Sequence, residues 1–343
     1  MSKVTAGQQA AWTEIVTKKY SDQAIWFMNG FWQQVEKSAE EIWKWVQLFS
    51  ELDQDKKGDG NELDEFWSHK FLESLGQTMT VIEMREKFRT IDVDFNKRMS
   101  LTEYLAYHFK KSIQEVIDAP QGDNQEEIEA AQAAVEAAQK AVDEMVARLD
   151  EATRAAEAAD AAAAKAKAAS DAAEAAAAPY RAAVAENEKA LEELHAQEEA
   201  YKQKKESLEK TKNDMSIGVV RRNKAANELD QLLSEDPLPL RKAKINQEAT
   251  VRKMEKAAKP FNEASAKAEA AKNEADAKAA AAAEAKAQAE AAVQEAESML
   301  QAAVDALNEA KKKGGVAHGA IWWMERSIEE KKKYMPGYKG PRK

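Results

Sequence analysis

Cysteine is absent from the 343 residues of the chain, which excludes disulfide bonds and thiolate metal sites. Glycine and proline are scarce, at 12 and 7 residues, and this scarcity argues against turn-rich sheet architectures. No uninterrupted apolar stretch is long enough to span a bilayer, and the first residues lack the apolar core of a signal peptide. We therefore expect a cytoplasmic protein that does not enter a membrane.

A catalytic constellation is missing as well. The 4 histidines are scattered over unrelated segments, and no phosphate-binding glycine loop, nucleophile motif or zinc-ligand spacing is present. The formal net charge of -10 argues against nucleic acid as the main partner. Charged residues make up 33% of the chain, a bias typical of long helices and coiled coils. The composition thus predicts an all-α protein that is not an enzyme.

Aromatic residues are concentrated in the N-terminal region, residues 1–122. The 8 tryptophans of the chain lie either between positions 12 and 67 or at Trp322 and Trp323. Aromatic and aliphatic residues around Trp26 and Trp43 recur at helical spacing. We interpret them as the core of a helical domain rather than as a carbohydrate or cofactor site.

The segment Asp92–Glu103 has the residue pattern of an EF-hand calcium loop. Such a loop needs oxygen ligands at positions 1, 3, 5 and 12 and a backbone carbonyl at position 7. Those positions hold Asp92, Asp94, Asn96 and Glu103, with Arg98 offering its carbonyl. Lys97 stands where glycine normally allows the sharp turn, and a non-glycine residue at positive φ costs about 1 kcal/mol. The pattern predicts a calcium site; the alternative is an EF-hand kept only for its structure.

A poorer match to the same pattern begins at Asp55. It precedes Asp92 in the chain, so we call it the first loop and the segment Asp92–Glu103 the second loop. The candidate ligands of the first loop are Asp55, Asp59 and Glu65, but Lys57 occupies position 3 and Glu65 arrives one residue early for position 12. Asp53 is an alternative early ligand if the loop is rearranged. We expect this first loop to bind calcium weakly or not at all. We also expect it to pair with the loop at Asp92 in an EF-hand pair.

Residues 123–313 carry a heptad pattern in which alanine fills most of the apolar positions. One ladder runs from Ile128 through Val135, Val142 and Leu149 to Leu191, and a second runs from Phe261 to Ala310. A sustained heptad of this kind indicates a coiled coil. Two matching ladders about a central break predict an antiparallel helical hairpin. A parallel dimer of each ladder is the alternative, so self-association remains open.

The break between the ladders, residues 216–254, mixes cations with apolar residues, and we call it the tip. Its cations are Arg221, Arg222, Lys224, Arg241, Lys242, Lys244 and Lys253. Cations interleaved with exposed apolar groups are typical of a docking surface. The alternative is a small helical cap that seals the end of the hairpin.

The C-terminal tail, residues 314–343, is basic and contains the tryptophan pair. Its cations include Lys331, Lys332, Lys333, Lys339, Arg342 and Lys343. Trp322 and Trp323 have no aromatic neighbours close in sequence. We therefore expect them to pack back on the N-terminal domain.

Three segments together resemble the calcium-regulated F-actin-bundling proteins: residues 23–32, residues 92–105 and residues 319–333. In that family an EF-hand region senses calcium, a helical region binds actin filaments, and calcium suppresses bundling. The resemblance implies Ca²⁺ as the cofactor, actin filaments as the partner, the tip cations as filament contacts and a cytoskeletal location. The chain departs from the family by its longer alanine ladders, at roughly 150–205 and 262–305. A calcium-binding coiled-coil scaffold for another helical protein is the alternative function.

Overall fold

The computed structural model describes residues 3–76, 80–235, 237–312 and 317–338. The described residues are mostly helical, which confirms the all-α prediction. Before the long helices come α1 (Gln9–Val16), α2 (Tyr20–Val35), α3 (Ala39–Leu52), β1 (Glu62–Asp64), α4 (Glu65–Ser74), α5 (Val81–Ile91), β2 (Arg98–Ser100), α6 (Leu101–His108) and α7 (Ile113–Ile117). Then follow α8 (Gln125–Asn213), α9 (Val219–Ser234), α10 (Leu238–Lys312) and α11 (His318–Lys332).

The chain divides into two compact units. Unit 1 comprises residues 1–149 and 288–343, and unit 2 comprises residues 150–287. The division into 1–122, 123–313 and 314–343 that the sequence pattern suggests stays a prediction, and its boundary at 313 lies outside the described residues. So do Lys339, Arg342 and Lys343 of the basic tail. None of the described helices combines the length and the apolar character that crossing a membrane requires.

The core of unit 1 is built from aromatic side chains, as the sequence predicts. Helix α3 buries apolar residues at the spacing of one helical face, including Ile42, Val46 and Phe49. The ring of Phe49 packs edge-on against Tyr20 and Phe71, with centroids 5.2 and 4.5 Å away. Such aromatic pairs add about 0.5–1.5 kcal/mol to the burial of their area.

Capping boxes fix where three helices of unit 1 begin. In each box a hydroxyl side chain accepts from the backbone N–H three residues on, and the glutamate there accepts from the backbone of the capping residue. The pairs are Thr80 with Glu83, Ser100 with Glu103, and Ser112 with Glu115. The box at Ser100 places Glu103 at the start of α6, directly after β2.

The C-terminal helix α11 packs against α2 and α3 within unit 1. The ring of Trp323 lies 4.4 Å from that of Trp43, which confirms the expected packing of the tryptophan pair on the N-terminal domain. At Gly319 the helices approach so closely that a Cβ would lie 2.6 Å from the backbone nitrogen of Asn29. The Asn29 side chain in turn accepts a hydrogen bond from the backbone N–H of Ala320, at 2.8 Å.

A second cluster in unit 1 joins α11 to the beginning of α8 and the end of α10. Its buried members include Ala131, Val135, Val142, Ala296, Leu300, Ala303, Ile321 and Ile328. The buried Asn124 connects the segments, since its side chain donates to the carbonyl of Ala310 and accepts from the N–H of Ala317. Helix α11 therefore shares a core with the beginning of α8 and the end of α10.

In unit 2 the helices α8 and α10 run antiparallel. Lys165 pairs with Glu274 at 2.8 Å, whereas Tyr180, further along α8, stacks on Phe261, earlier in α10. The two rings lie 5.1 Å apart and nearly parallel, at 8°. These contacts are made within one chain. They also bring Pro179 and Pro260, the neighbours of the stacked rings, to one level.

Candidate metal centre and basic tip

Two loops of unit 1 pair through a short antiparallel sheet. Strand β1 pairs with β2, and Leu63 lies opposite Met99 with both side chains buried. Each loop begins at an aspartate that ends the preceding helix, Asp53 after α3 and Asp92 after α5. The two aspartates have similar backbone angles, with φ −74° and ψ 96° at the first and φ −64° and ψ 94° at the second. The loops are therefore structural counterparts.

The second loop gathers three carboxylates. One carboxylate oxygen from each of Asp92, Asp94 and Glu103 lies within 4.8 Å of the other two. Among the residues that the structure describes, these three side chains form the one cluster of acidic or histidine ligands close enough together to hold a metal ion. Asp92 and Glu103 are buried, at 5% and 1% exposed. Ionised carboxylates so close together repel one another, so a cation between them would stabilise their ionised forms.

Asp92 shows the clearest lack of a partner. Its Oδ2 atom accepts a hydrogen bond from the backbone N–H of Lys97, at 3.2 Å. Its Oδ1 atom is buried and accepts no hydrogen bond within the described residues. A buried carboxylate oxygen without a donor is costly, and a bound cation is one way to satisfy it.

Glu103 has two tasks at the start of α6. Its carboxylate accepts hydrogen bonds from the backbone N–H groups of Val93 and Ser100 at 3.0 and 2.9 Å, and from the Ser100 hydroxyl at 3.0 Å. Burial, with a smaller effect from the charge of Asp94, raises the pKa of Glu103 to about 8. Burial raises the pKa of Asp94 as well. Protons therefore compete with a cation for this site.

The remaining predicted ligands lie beside this cluster. The Asn96 amide donates to Oδ2 of Asp94, at 3.4 Å, while its oxygen accepts from the backbone N–H of Arg98, at 2.7 Å. Arg98 belongs to β2, and its guanidinium lies 3.5 Å from Glu62 on the opposite strand. Every donor that this loop offers is an oxygen, which suits the hard cations Ca²⁺ and Mg²⁺.

The first loop has a different register from the one that the sequence suggests. Four residues after Met99 comes Glu103, whereas four residues after its partner Leu63 comes Trp67. The loop therefore starts at Asp53 rather than Asp55, is longer than its counterpart, and has an indole where the other loop has a carboxylate.

The predicted ligands of the first loop are dispersed. Asp55 is exposed, Asp59 pairs with Lys19 at 2.5 Å, and Glu65 lies 3.4 Å from Arg85. None of the three belongs to a metal-binding cluster within the described ranges. Two of the three predicted ligands are therefore paired with cations of the protein itself.

Asp53 is occupied by hydrogen bonds instead. One oxygen accepts from the backbone N–H groups of Asp55 and Lys56, and the other accepts from the Tyr20 hydroxyl at 2.9 Å. Gly60 lies against this pair so tightly that a Cβ there would be 1.9 Å from Asp53 Oδ2. The loop is thus closed around Asp53 by the protein itself.

The side chain of Gln23 connects the two loops, a role that the sequence pattern did not predict. Its amide is fully buried on α2, and its oxygen accepts from the N–H and hydroxyl of Thr102, the neighbour of Glu103. Its nitrogen lies 2.7 Å from the carbonyl of Asn61 in the first loop. Gln23 lies between Tyr20 and Ala24 on the buried face of α2. A polar side chain on such a face needs hydrogen-bond partners, and this pattern could have identified its role.

The tip combines a sealed interior with an exposed mixed surface. Helix α9 buries Ala225, Leu229 and Leu232, and Leu240 of α10 is buried nearby. Large apolar side chains of the tip nevertheless stay exposed, namely Val219, Val220, Leu233, Leu238 and Ile245. The tip therefore has features of both a helical cap and a docking surface.

Most of the predicted tip cations share this exposed surface. Those in exposed positions are Arg221, Lys224, Arg241, Lys242 and Lys244. Arg222 is half-buried, with its Nε atom unpartnered among the described residues. Lys253 is exposed and pairs with Glu186 of α8 at 2.5 Å, and Lys224 lies 3.9 Å from Glu228.

Comparisons with known proteins found a match to one family model and a similarity to one solved structure. Residues 148–296 match the family model described as F actin bundling C terminal, a span close to that of unit 2. Among solved structures the chain is similar to the 34 kDa F-actin bundling protein from Dictyostelium discoideum, with 20% identity and a TM-score of 0.45. That comparison covers 98% of this chain and 100% of the other. No curated protein matches the chain.

Proposed function

We propose that this protein binds actin filaments and cross-links them into bundles, and that calcium bound in the second loop suppresses bundling. The observation that carries the proposal is the match of residues 148–296 to the C-terminal region of F-actin-bundling proteins. The calcium dependence rests on the resemblance of the loop and of the tail to that family. This function places the protein in the cytoskeleton of the cytoplasm, as a structural protein rather than an enzyme.

The tip is the filament-binding surface in this proposal. Actin filaments are acidic, so a basic surface attracts them over long range and orients the encounter. Exposed apolar groups such as Val220, at 84% exposed, provide area to bury once the surfaces meet. Bundling further requires two filament sites per particle, from one chain or from self-association, and two weak sites gain from avidity.

The two loops form an EF-hand pair in which the second loop binds Ca²⁺. The ligands are Asp92, Asp94, Asn96, Glu103 and the carbonyl of Arg98. The buried, unpartnered oxygen of Asp92 and the close approach of the three carboxylates support this assignment, because a cation there would satisfy both. The first loop serves as the structural partner through the pairing of Leu63 with Met99.

High-speed co-sedimentation with actin filaments tests the filament site. A variant with Arg221→Glu, Arg241→Glu and Lys242→Glu reverses three exposed cations of the tip. We expect binding to weaken by about tenfold or more, because charges at a complementary interface become repulsive. A matched control with Lys267→Glu, Lys272→Glu and Lys278→Glu changes the net charge equally on an exposed part of α10.

The control should bind like the unaltered protein. Equal binding by the tip variant would contradict the assignment of the tip, and equal weakening of both variants would show a general charge effect instead. Failure of the unaltered protein to bind filaments would overturn the proposal. It would favour the calcium-binding scaffold for another helical protein.

A further inference from the structure

The outer face of the second loop forms one wall of a cavity of about 550 Å³. The side chains that matter there are four cations and two aromatic rings: Lys3, Arg85, Arg89, Lys97, Phe88 and Phe95. The acidic residues at the cavity are Glu65, which pairs with Arg85, and the buried Asp92. The cavity is therefore basic, although Asp92 at its wall belongs to the cluster of three carboxylates.

Two of these cations are not neutralised. Arg89 and Lys97 are exposed, and no ion-pair partner for either side chain is present in the described part of the chain. Lys3 donates to the backbone carbonyls of Arg89 and Asp92 and lies 4.1 Å from the centre of the Phe95 ring. Its charge thus lies over an exposed aromatic ring and has no carboxylate partner among the residues that the structure describes.

Two residues that line this cavity have a strained backbone conformation. Phe95 and Lys97 have φ angles of 65° and 63°, in the left-handed region where a non-glycine residue costs about 1 kcal/mol or more. Glycine would remove this cost at both positions. Non-glycine residues held in such conformations cluster at functional sites, where the side chain gives something in return. Here both side chains line the cavity.

We propose that this cavity binds an acidic peptide segment of a partner protein. Carboxylates of the peptide pair with Arg89 and Lys97, and an aromatic or aliphatic side chain packs against Phe95. A peptide fits better than a lone inorganic anion, which would leave the exposed ring of Phe95 and most of the 550 Å³ unused.

The peptide and calcium strengthen each other's binding. The ammonium of Lys97 belongs to the calcium loop and opposes a cation held by Asp92, so an anion that neutralises it removes this repulsion. Linkage then requires that calcium raise the affinity for the peptide by the same factor. This coupling rests on the proposed calcium site, whereas the binding of the peptide itself does not.

Fluorescence anisotropy with the full chain tests the proposal. The probe is a labelled synthetic peptide of Asp and Glu around a central Phe, and its counterpart replaces Asp and Glu by Asn and Gln. We expect the acidic peptide to bind, the neutral one not to bind, and calcium to tighten binding relative to chelator. Lys97→Gly should weaken the acidic peptide by about fivefold, the usual upper value for one exposed ion pair.

Lys110→Gly is a matched control. Lys110 is also an exposed lysine in the left-handed region, with φ 56°, but it lies after α6 and does not line the cavity. Both variants lose one charge and one strained residue. Lys97→Gly alone should also bind calcium more tightly without peptide, because both the strain and the repulsion disappear.

Unchanged peptide binding in Lys97→Gly, equal weakening in Lys110→Gly, or equal binding of the neutral peptide would overturn the proposal. Lys97-dependent peptide binding in a chain that titration calorimetry shows to bind no calcium would support the cavity and contradict the calcium site. The two ideas can therefore fail separately.

Discussion

At the scale of a single residue, Glu103 belongs both to a helix cap and to the proposed calcium site. Its carboxylate completes the capping box of α6 and also provides the third oxygen donor of the cluster. Without a cation, the folded protein holds a proton there more tightly than the unfolded chain does, because the pKa rises from 4.5 to about 8. The contribution to stability is therefore fully present below about pH 4.5 and is lost as the pH rises through 8.

Thermal unfolding against pH tests this prediction. In chelator, the melting temperature should fall between about pH 5 and 8 through this group, and saturating calcium should remove that part of the fall because the ion replaces the proton. Glu103→Gln keeps a side chain suited to the capping box but does not titrate in this range. Identical pH profiles for this variant and the unaltered protein in chelator would contradict the assignment.

The clustered carboxylates could be predicted because the ligands of such a loop are close in sequence. Asp92, Asp94 and Glu103 all come from one short segment, and the structure brings them together. The bonds of Gln23 could not be predicted in this way, since Thr102 and Asn61 lie 79 and 38 residues away. Long-range partners of a buried amide depend on how helices pack, which the local pattern does not contain.

At the scale of elements, the two long helices of unit 2 are held by layers that bury little area. Ala183 and Ala190 are buried in α8, but an alanine side chain removes little apolar surface from water. The stacked rings of Tyr180 and Phe261 are therefore a large contribution at one level of the pair. They also fix the register of α8 against α10.

A double-mutant cycle on Tyr180→Ala and Phe261→Ala measures this contact. We expect a coupling of about 1 kcal/mol in the free energy of unfolding, because both rings must be present for the stacking. Urea unfolding of the two single variants and of the double variant provides the measurement. Additive losses would contradict the antiparallel register.

The heptad pattern predicts these long helices because it extends over many turns, where periodicity is most informative. The first loop shows the opposite case. Extra residues between Asp53 and Leu63 displace its acidic residues from their expected positions, and the sequence-based register began at Asp55 instead. The alignment of the first loop with the second follows from the pairing of Leu63 with Met99, which is a contact between segments distant in sequence.

For the whole molecule, we propose a bundling protein whose activity is controlled by one calcium loop. In unit 1, α11 packs on α2, and Gln23 of α2 contacts Thr102, the neighbour of Glu103. That packing was predictable from an isolated tryptophan pair with no nearby aromatic partners. The residues that α11 contacts, Asn29 and Trp43, could not be predicted, because these contacts depend on the close approach of the helices at Gly319.

Low-speed sedimentation of actin filaments, with calcium or with chelator, tests the central claim most directly. Bundles pellet at low speed whereas single filaments do not, so the assay reports cross-linking itself. The account predicts pelleting in chelator, loss of pelleting in calcium, and pelleting under both conditions for Glu103→Gln. Pelleting that calcium leaves unchanged in the unaltered protein, or no pelleting under either condition, would contradict it.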